Sequence, residues 1–362
     1  MIKAKRKFDI SLLVIIVLLI VMGILALATA STPLSLKLTN NPNFYLSHQI
    51  LWGLIPGLIL AFIAFKVPLY GIKKWSFFIF LASFILMLLV FVPGLSTSQL
   101  GATRWLNLGF TSIQPSEIMK LAAIIYLASI LNSEKERNKF TTFAILLVLV
   151  CSALFLQKDM GTLIVLFSTM MIMFFCSKTP IKQTLLIGFG AVVGFIGLIV
   201  AEPYRLARVT SFLHPETDTL GTGYHINQAL ISVGSGGITG SGLGLSVQKF
   251  GFVPQSISDS IFAIFAEETG FIGCAVLIAL FFAFFVASFS VGKKLNDEYL
   301  RLMAIGIGSW FIVQALVNIG AMIGVVPLTG IPLPFISYGG SHLMFELIAC
   351  GLLLNISKHA KT

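Results

Sequence analysis

Charge is what this sequence has least of. Among 362 residues, 24 are Lys or Arg and 14 are Asp or Glu, so 10% are charged while 57% are apolar. A soluble domain carries roughly 25% charged residues, which excludes a water-soluble globule, and the mean hydropathy of +0.98 agrees. Cysteine is also scarce. Cys151, Cys176, Cys274 and Cys350 all lie within apolar runs, with no C-x-x-C pair, so a thiolate metal site or disulfide framework gives way to four buried small hydrophobes. The apolar runs are continuous rather than alternating, which excludes a transmembrane barrel. Eight glycines fall between Gly221 and Gly244, but they do not form G-x-G-x-x-G after a strand, so no dinucleotide fold is indicated. There is no internal repeat and no low-complexity tract.

What remains is helix for a lipid solvent. A bilayer core takes ~20 apolar residues per helical span, and hydropathy marks ten spans at about 9–30, 48–66, 76–94, 115–132, 141–157, 161–177, 184–201, 260–290, 302–324 and 341–356. The run from Ile10 to Ala30 is longer than a signal peptide's apolar region and reads as a retained first span. The net charge of +10 does not indicate nucleic acid, because 17 of the 24 basic residues fall at the termini or in every second connection. That is the positive-inside pattern. The sequence therefore predicts an all-α polytopic integral membrane protein, one membrane domain over 1–362, with both termini cytoplasmic. Segments 31–47, 95–114, 158–160, 202–259 and 325–340 then face outward, and 202–259 is a large extracytoplasmic loop.

Ionisable residues inside a span are functional candidates by default, and Glu117, Lys120, Asp159, Glu267, Glu268 and Glu346 qualify. Glu117 and Lys120 are three apart and share a helix face, either as a structural ion pair or as the polar wall of an outward cavity. Residues 101–117, GATRWLNLGFTSIQPSE, read as a loop dipping into the headgroup layer, with Arg104-Trp105 as an interfacial pair. The 221–244 glycines suit either tight turning over the membrane or close approach to a ligand. Asp259 closes the long loop where it meets the next span, placed equally for a helix cap and for a general base. Residues 327–343, PLTGIPLPFISYGGSHL, hold three prolines and three glycines between two spans. Non-helical backbone at that depth survives only where protein or a wet cavity covers it, so this is a re-entrant segment. Its Ser337, Gly339 and Gly340 join the candidate substrate-binding residues.

Taken together, GATRW…IQPSE..K, YR..R...F..P, G.GY...QA....GSGG..G.GLG.S.QK, D-x-I-F…AEE-x-G and P-x-TGIPLPFISYGGS resemble the SEDS proteins (shape, elongation, division and sporulation; FtsW, RodA and SpoVE) over essentially the whole chain. RVTSFLHPETDTLGTGYHINQAL with SVQKFG is closer to the FtsW and SpoVE branch. The resemblance implies a ten-span peptidoglycan glycosyltransferase in the bacterial cytoplasmic (inner) membrane. It would polymerise lipid II on the outer face, for septal wall synthesis in division, with a class B penicillin-binding protein (transpeptidase) and other divisome proteins as partners.

By the same resemblance Asp259 matches the family's catalytic aspartate, Glu117 and Lys120 its cavity pair, and Arg104-Trp105 its Arg-Trp motif. Arg104, Lys120, Arg205, Arg208 and Lys249 are the basic residues available for the leaving diphosphate. No cofactor is assigned, and a divalent metal (Mg or Mn) with unknown ligands is left open. The sequence departs from the family where P-E-x-H-T-D reads Pro254-Gln255-Ser256-Ile257-Ser258-Asp259, losing a carboxylate and an imidazole. Pro-Asp-x-Gly-Thr reads Lys158-Asp159-Met160-Gly161-Thr162. A lipid II flippase and a catalytically weak division scaffold are the rival readings.

Overall fold

A helix occupies most of each of the ten apolar segments in the computed structural model, which describes residues 8–99, 102–107, 112–132, 136–200, 203–214 and 221–361. In chain order these are α1 (Ile10–Thr39), α2 (Phe44–Gln49) running through a π-turn at Ile50–Leu54 into α3 (Ile55–Lys66), and α4 (Leu69–Leu89). Next come α5 (Pro115–Leu131), α6 (Glu136–Leu156), α7 (Met160–Phe175) and α8 (Ile181–Val200). The long connection carries α9 (Pro203–Leu213) and α10 (Thr222–Ser235), and the chain finishes with α11 (Ile261–Lys293), α12 (Glu298–Met322) and α13 (Gly340–Ser357). Among the described residues, seven helices are long and apolar enough to cross a membrane.

The helices sort by burial. α5, α12 and α13 are buried on most of their surface, as expected of helices apolar all round. α1, α3, α4 and α11 surround them and expose large apolar side chains such as Val14, Phe62, Phe78 and Phe282, the face a lipid solvent requires.

Three expectations change. α1 does not stop at residue 30 but continues through Pro33 to Asn40, whose left-handed φ of 55° ends it. Proline cannot donate to the carbonyl four residues back, so Thr29 O would be orphaned; Lys249 Nζ takes it at 3.2 Å. The described residues between 96 and 113 form a small antiparallel sheet rather than a plain loop. Its strands are β1 (Ser96–Gln99), β2 (Ala102–Asn107) and β3 (Ser112–Ile113), with Thr97 opposite Trp105 and Leu106 opposite Ile113. Pairing gives the backbone polar groups of these strands partners within the fold.

The third concerns the glycines. α11 is broken at Gly270, with φ 65° and ψ −166°. The break frees two helical hydrogen bonds, and residues 237–242 enter the gap. Ser241 N–H and Gly242 N–H donate to Glu267 O and Glu268 O at 2.9 and 3.0 Å, while Phe271 N–H and Ile272 N–H donate to Gly237 O and Ile238 O at 2.9 and 3.1 Å. Gly240 has φ +82°, and a Cβ there would meet Glu268 O at 2.2 Å. This stretch of the glycine run is a close backbone fit against α11.

The re-entrant reading of 327–343 holds in form. Residues 324–339 are irregular, and Leu333 to Ser337 are buried between α12 and α13. Side chains supply the missing backbone partners: Gln314 Nε2 donates to Pro332 O at 2.9 Å, Glu346 Oε2 accepts from Phe335 N–H at 2.9 Å, and Ser337 Oγ accepts from Leu333 N–H at 2.7 Å. The Phe335 ring stacks on Phe311 at 5.1 Å.

Candidate functional site

Asp259 ends a run of turns just before α11. Ser260, not Asp259, occupies the N-cap position, and no side chain caps that helix, so the cap reading of Asp259 falls. Its backbone is pinned instead to the buried irregular segment. Asn318 Nδ2 donates to Asp259 O at 2.8 Å and to Ile331 O at 2.6 Å. Ser337 Oγ donates to Ser258 O at 2.6 Å, and Tyr338 N–H to Ile257 O at 2.8 Å. Gly330, at φ +67°, faces the carboxylate so closely that a Cβ would lie 3.3 Å from Oδ2.

Among the described residues the Asp259 carboxylate accepts no hydrogen bond. Burial pushes its pKa from the usual 3.8 up to about 6, against the pull of the Arg104, Arg208 and His342 charges, with Asp159 adding to the rise. Burial of a carboxyl with cations at a distance keeps a base that is ionised at neutral pH yet still worth protonating. Beside it, His225 Nε2 on α10 lies 2.6 Å from Ser260 Oγ, which donates to Pro254 O at 2.9 Å. Burial, then the Arg208 charge, hold the His225 pKa down at about 4, so this ring is neutral at pH 7.

Arg104 stands on β2, and its guanidinium donates through Nη2 to Lys158 O. Arg208, on α9, donates through Nη1 to Leu328 O at 2.9 Å. Arg205 lies on the same helix with its side chain outside the described residues. Trp105 is half-buried on β2. Asp159 is the N-cap of α7: Oδ1 accepts from Thr162 N–H at 3.3 Å, and Oδ2 receives Gln114 Nε2 at 3.3 Å and Ser116 Oγ at 3.5 Å. Its oxygens are spent on joining α7 to the start of α5.

Glu117 and Lys120 do pair, at 2.8 Å, and both are buried. They belong to a larger buried network. Glu117 Oε2 is also 3.0 Å from His342 Nδ1, and His342 Nε2 is 2.8 Å from Glu346 Oε1, too poorly aligned for a hydrogen bond. Lys120 Nζ donates to Gln314 Oε1 at 2.8 Å and sits 4.8 Å from the Trp310 ring centre. Through Gln314 and Glu346 this network holds Pro332 and Phe335, and so the segment that carries Ser337 and Gly330.

Lys249 is a correction. It is buried, and its ammonium meets Thr29 O, Gly244 O at 2.6 Å and Glu268 Oε1 at 3.0 Å. All three protons are used inside the fold, so it has none for a diphosphate. Glu267 likewise ties Ser246, Ser232 and Val247 N–H to α11. Gly339 N–H donates to Gln49 Oε1 at 3.0 Å, and a Cβ on Gly340 would lie 3.3 Å from Trp52 O; these two glycines pack against the α2 region. The sequence reading missed His225, His342, Gln314 and Asn318. Gln314 and Asn318 did carry a signal, being two amides four apart in an otherwise apolar span. Among the described residues no three His, Cys, Asp or Glu side chains group as metal ligands, and no step below runs through a metal.

Comparison with known proteins gives a consistent picture. A family model described as cell cycle protein, FtsW/RodA/SpoVE, matches residues 10–362. The stage V sporulation protein E of Bacillus subtilis is 37% identical over 368 residues, covering 99% of both chains. The probable peptidoglycan glycosyltransferase FtsW of Escherichia coli O157:H7 is 40% identical over 345 residues, 92% of this chain and 82% of that one. Among solved structures, a chain of a peptidoglycan synthase complex that coordinates polymerization and crosslinking superposes with a TM-score of 0.79 at 26% identity, over 97% of each chain. An alanine variant of the rod shape determining protein RodA of Thermus thermophilus gives 0.73 at 25% identity, over 98% of this chain and 99% of that one.

Proposed function

The chain belongs to the FtsW/RodA/SpoVE family of multi-pass membrane cell cycle proteins, and we propose that it is a peptidoglycan glycosyltransferase with Asp259 as its general base. In this reading it polymerises lipid II on the outer face of the cytoplasmic membrane during septal wall synthesis. The observation that carries it is the Asp259 carboxylate: half-buried, without a hydrogen bond among the described residues, and poised near pH 6.

The step is a displacement at the anomeric carbon. The GlcNAc 4-hydroxyl of one lipid II attacks the donor MurNAc, the bond to undecaprenyl diphosphate breaks, and Asp259 receives the hydroxyl proton. A positioned base is worth typically 10²–10⁴-fold. The diphosphate leaves with charge that fixed cations must meet; Arg104 and Arg208 bias Asp259 from nearby, which puts them within reach of the same centre, with Arg205 on the Arg208 helix. The partner in this reading is a class B penicillin-binding protein with other divisome proteins, and both termini are cytoplasmic.

The test is polymerisation of labelled lipid II by the purified full chain with its partner transpeptidase, wild type beside Asp259→Ala. Glycan strands from wild type alone support the assignment. Equal polymer from both would move the base elsewhere, with Asp218 and Glu216 next. Substrate translocation without polymer in either would favour the flippase, and neither activity the scaffold.

A further inference from the structure

The stretch that fills the α11 break has an unusual surface. Leu243, Leu245, Val247, Phe250 and Phe252 are each half exposed or more. Between Gly236 and Val253 the sole charged residue is Lys249, and that ammonium is buried against Glu268. The exposed face of this stretch is thus uncharged and dominated by large apolar side chains, with Thr239 and Ser241 its exposed hydroxyls, although it lies in a connection between spans.

Its depth can be read from α11. The helix up to Glu268 is buried in protein, whereas Phe271, Ile272, Val276, Phe282 and Val286 beyond the break are exposed. Residues 271–293 make 23 helical residues, or ~34 Å at 1.5 Å each, enough by themselves for a hydrocarbon core of ~30 Å. Gly270 therefore marks the membrane boundary on the Asp259 side, and the stretch bonded to Phe271 and Ile272 sits at that level. Part of its backbone is already paired, which lowers the cost that lipid puts on polar groups: Gly240, Ser241, Gly242 and Leu245 N–H all have carbonyl partners.

We propose that residues 238–252 form a collar inserted into the leaflet on the Asp259 side, with Leu245, Phe250 and their apolar neighbours among acyl chains at the headgroup boundary. The occupant is lipid because the apolar surface is continuous with the lipid-facing side of α11. Insertion fixes the depth of the turn 253–259 that follows, and so holds Asp259 at the level where a lipid-anchored sugar meets water.

The proposal rests on the membrane reading and not on the chemistry. Phe250→Trp and Leu245→Trp variants of the full chain, in nanodiscs of phosphatidylcholine and phosphatidylglycerol, report it against wild type. The added tryptophan emission is expected to be quenched by acyl-brominated phosphatidylcholine and untouched by aqueous iodide. Iodide quenching without response to the brominated lipid would overturn the collar, as would shielding from iodide that appears only on adding the partner transpeptidase. Polymerisation by Asp259→Ala is read separately, so either idea can fail alone.

Discussion

Asp259→Asn makes the sharpest test, because a base and a structural residue predict opposite outcomes. The carboxyl is raised from 3.8 to about 6, chiefly by burial. At about 1.36 kcal/mol per tenfold change in the ionisation constant, that rise puts a cost of about 3 kcal/mol on the ionised form in the fold. For an acid whose folded pKa is raised, stability is fully present below the unfolded value and is lost as pH rises through the folded one. Wild type thus carries this cost above pH ~6 and not below ~4. The carboxamide removes it, less what its own unpartnered N–H groups cost, so Asp259→Asn should be more stable than wild type at pH 8 by up to ~3 kcal/mol and indistinguishable near pH 4. Thermal unfolding of both proteins in nanodiscs, followed by intrinsic fluorescence across that range, measures the difference. Polymer formation should meanwhile fall by at least ~10²-fold. A variant that is less stable at pH 8, or whose stability difference ignores pH, would refute the desolvated-base account. So would full activity.

The same pKa predicts that polymerisation by wild type rises with pH and levels off above about 7, as Asp259 loses its proton; an initial-rate profile that is flat from pH 5 to 8 contradicts this. Glu117→Ala should lower folded yield more than Lys120→Ala, because Lys120 then keeps only the neutral Gln314 and the Trp310 ring while Glu117 would keep His342; breaking such a buried pair costs ~3–5 kcal/mol, and the double variant should lose less than the sum. Gly330→Ala places a left-handed φ on an L-residue, at ~1–2 kcal/mol, and crowds Asp259 Oδ2; the expected result is a reduced turnover with KM little changed, read in the lipid II assay.

The helices and Asp259 were legible because each rests on local signals: runs of apolar residues, alternating Lys and Arg, and an acid at the edge of a span. The non-helical state of 327–339 was equally plain from Pro332, Pro334 and Gly330. What escaped was whatever depends on a distant partner. Nothing near Lys249 says that it answers an orphaned carbonyl at Thr29 or that Glu268 holds it. Asp159 looked like an intramembrane charge, yet Gln114, 45 residues earlier, makes it part of a helix junction. The sheet at 96–113 has no alternating pattern of its own, since pairing there satisfies backbone rather than burying a face. The glycines from Gly221 to Gly244 were visible as a group, but only the break in α11 shows what Gly240 and its neighbours are fitted to.

The proline in α1 has a consequence for the order of assembly. Thr29 O loses its helical partner as soon as α1 forms, and its replacement is 220 residues further along the chain. At 5–20 residues per second, the ribosome needs ~10–45 s to deliver it. Throughout that interval the Thr29 carbonyl needs some other partner, since lipid offers none. It gains its partner within the fold only when the stretch carrying Lys249 is made, so the environment of the first helix is completed by a segment from the second half of the chain.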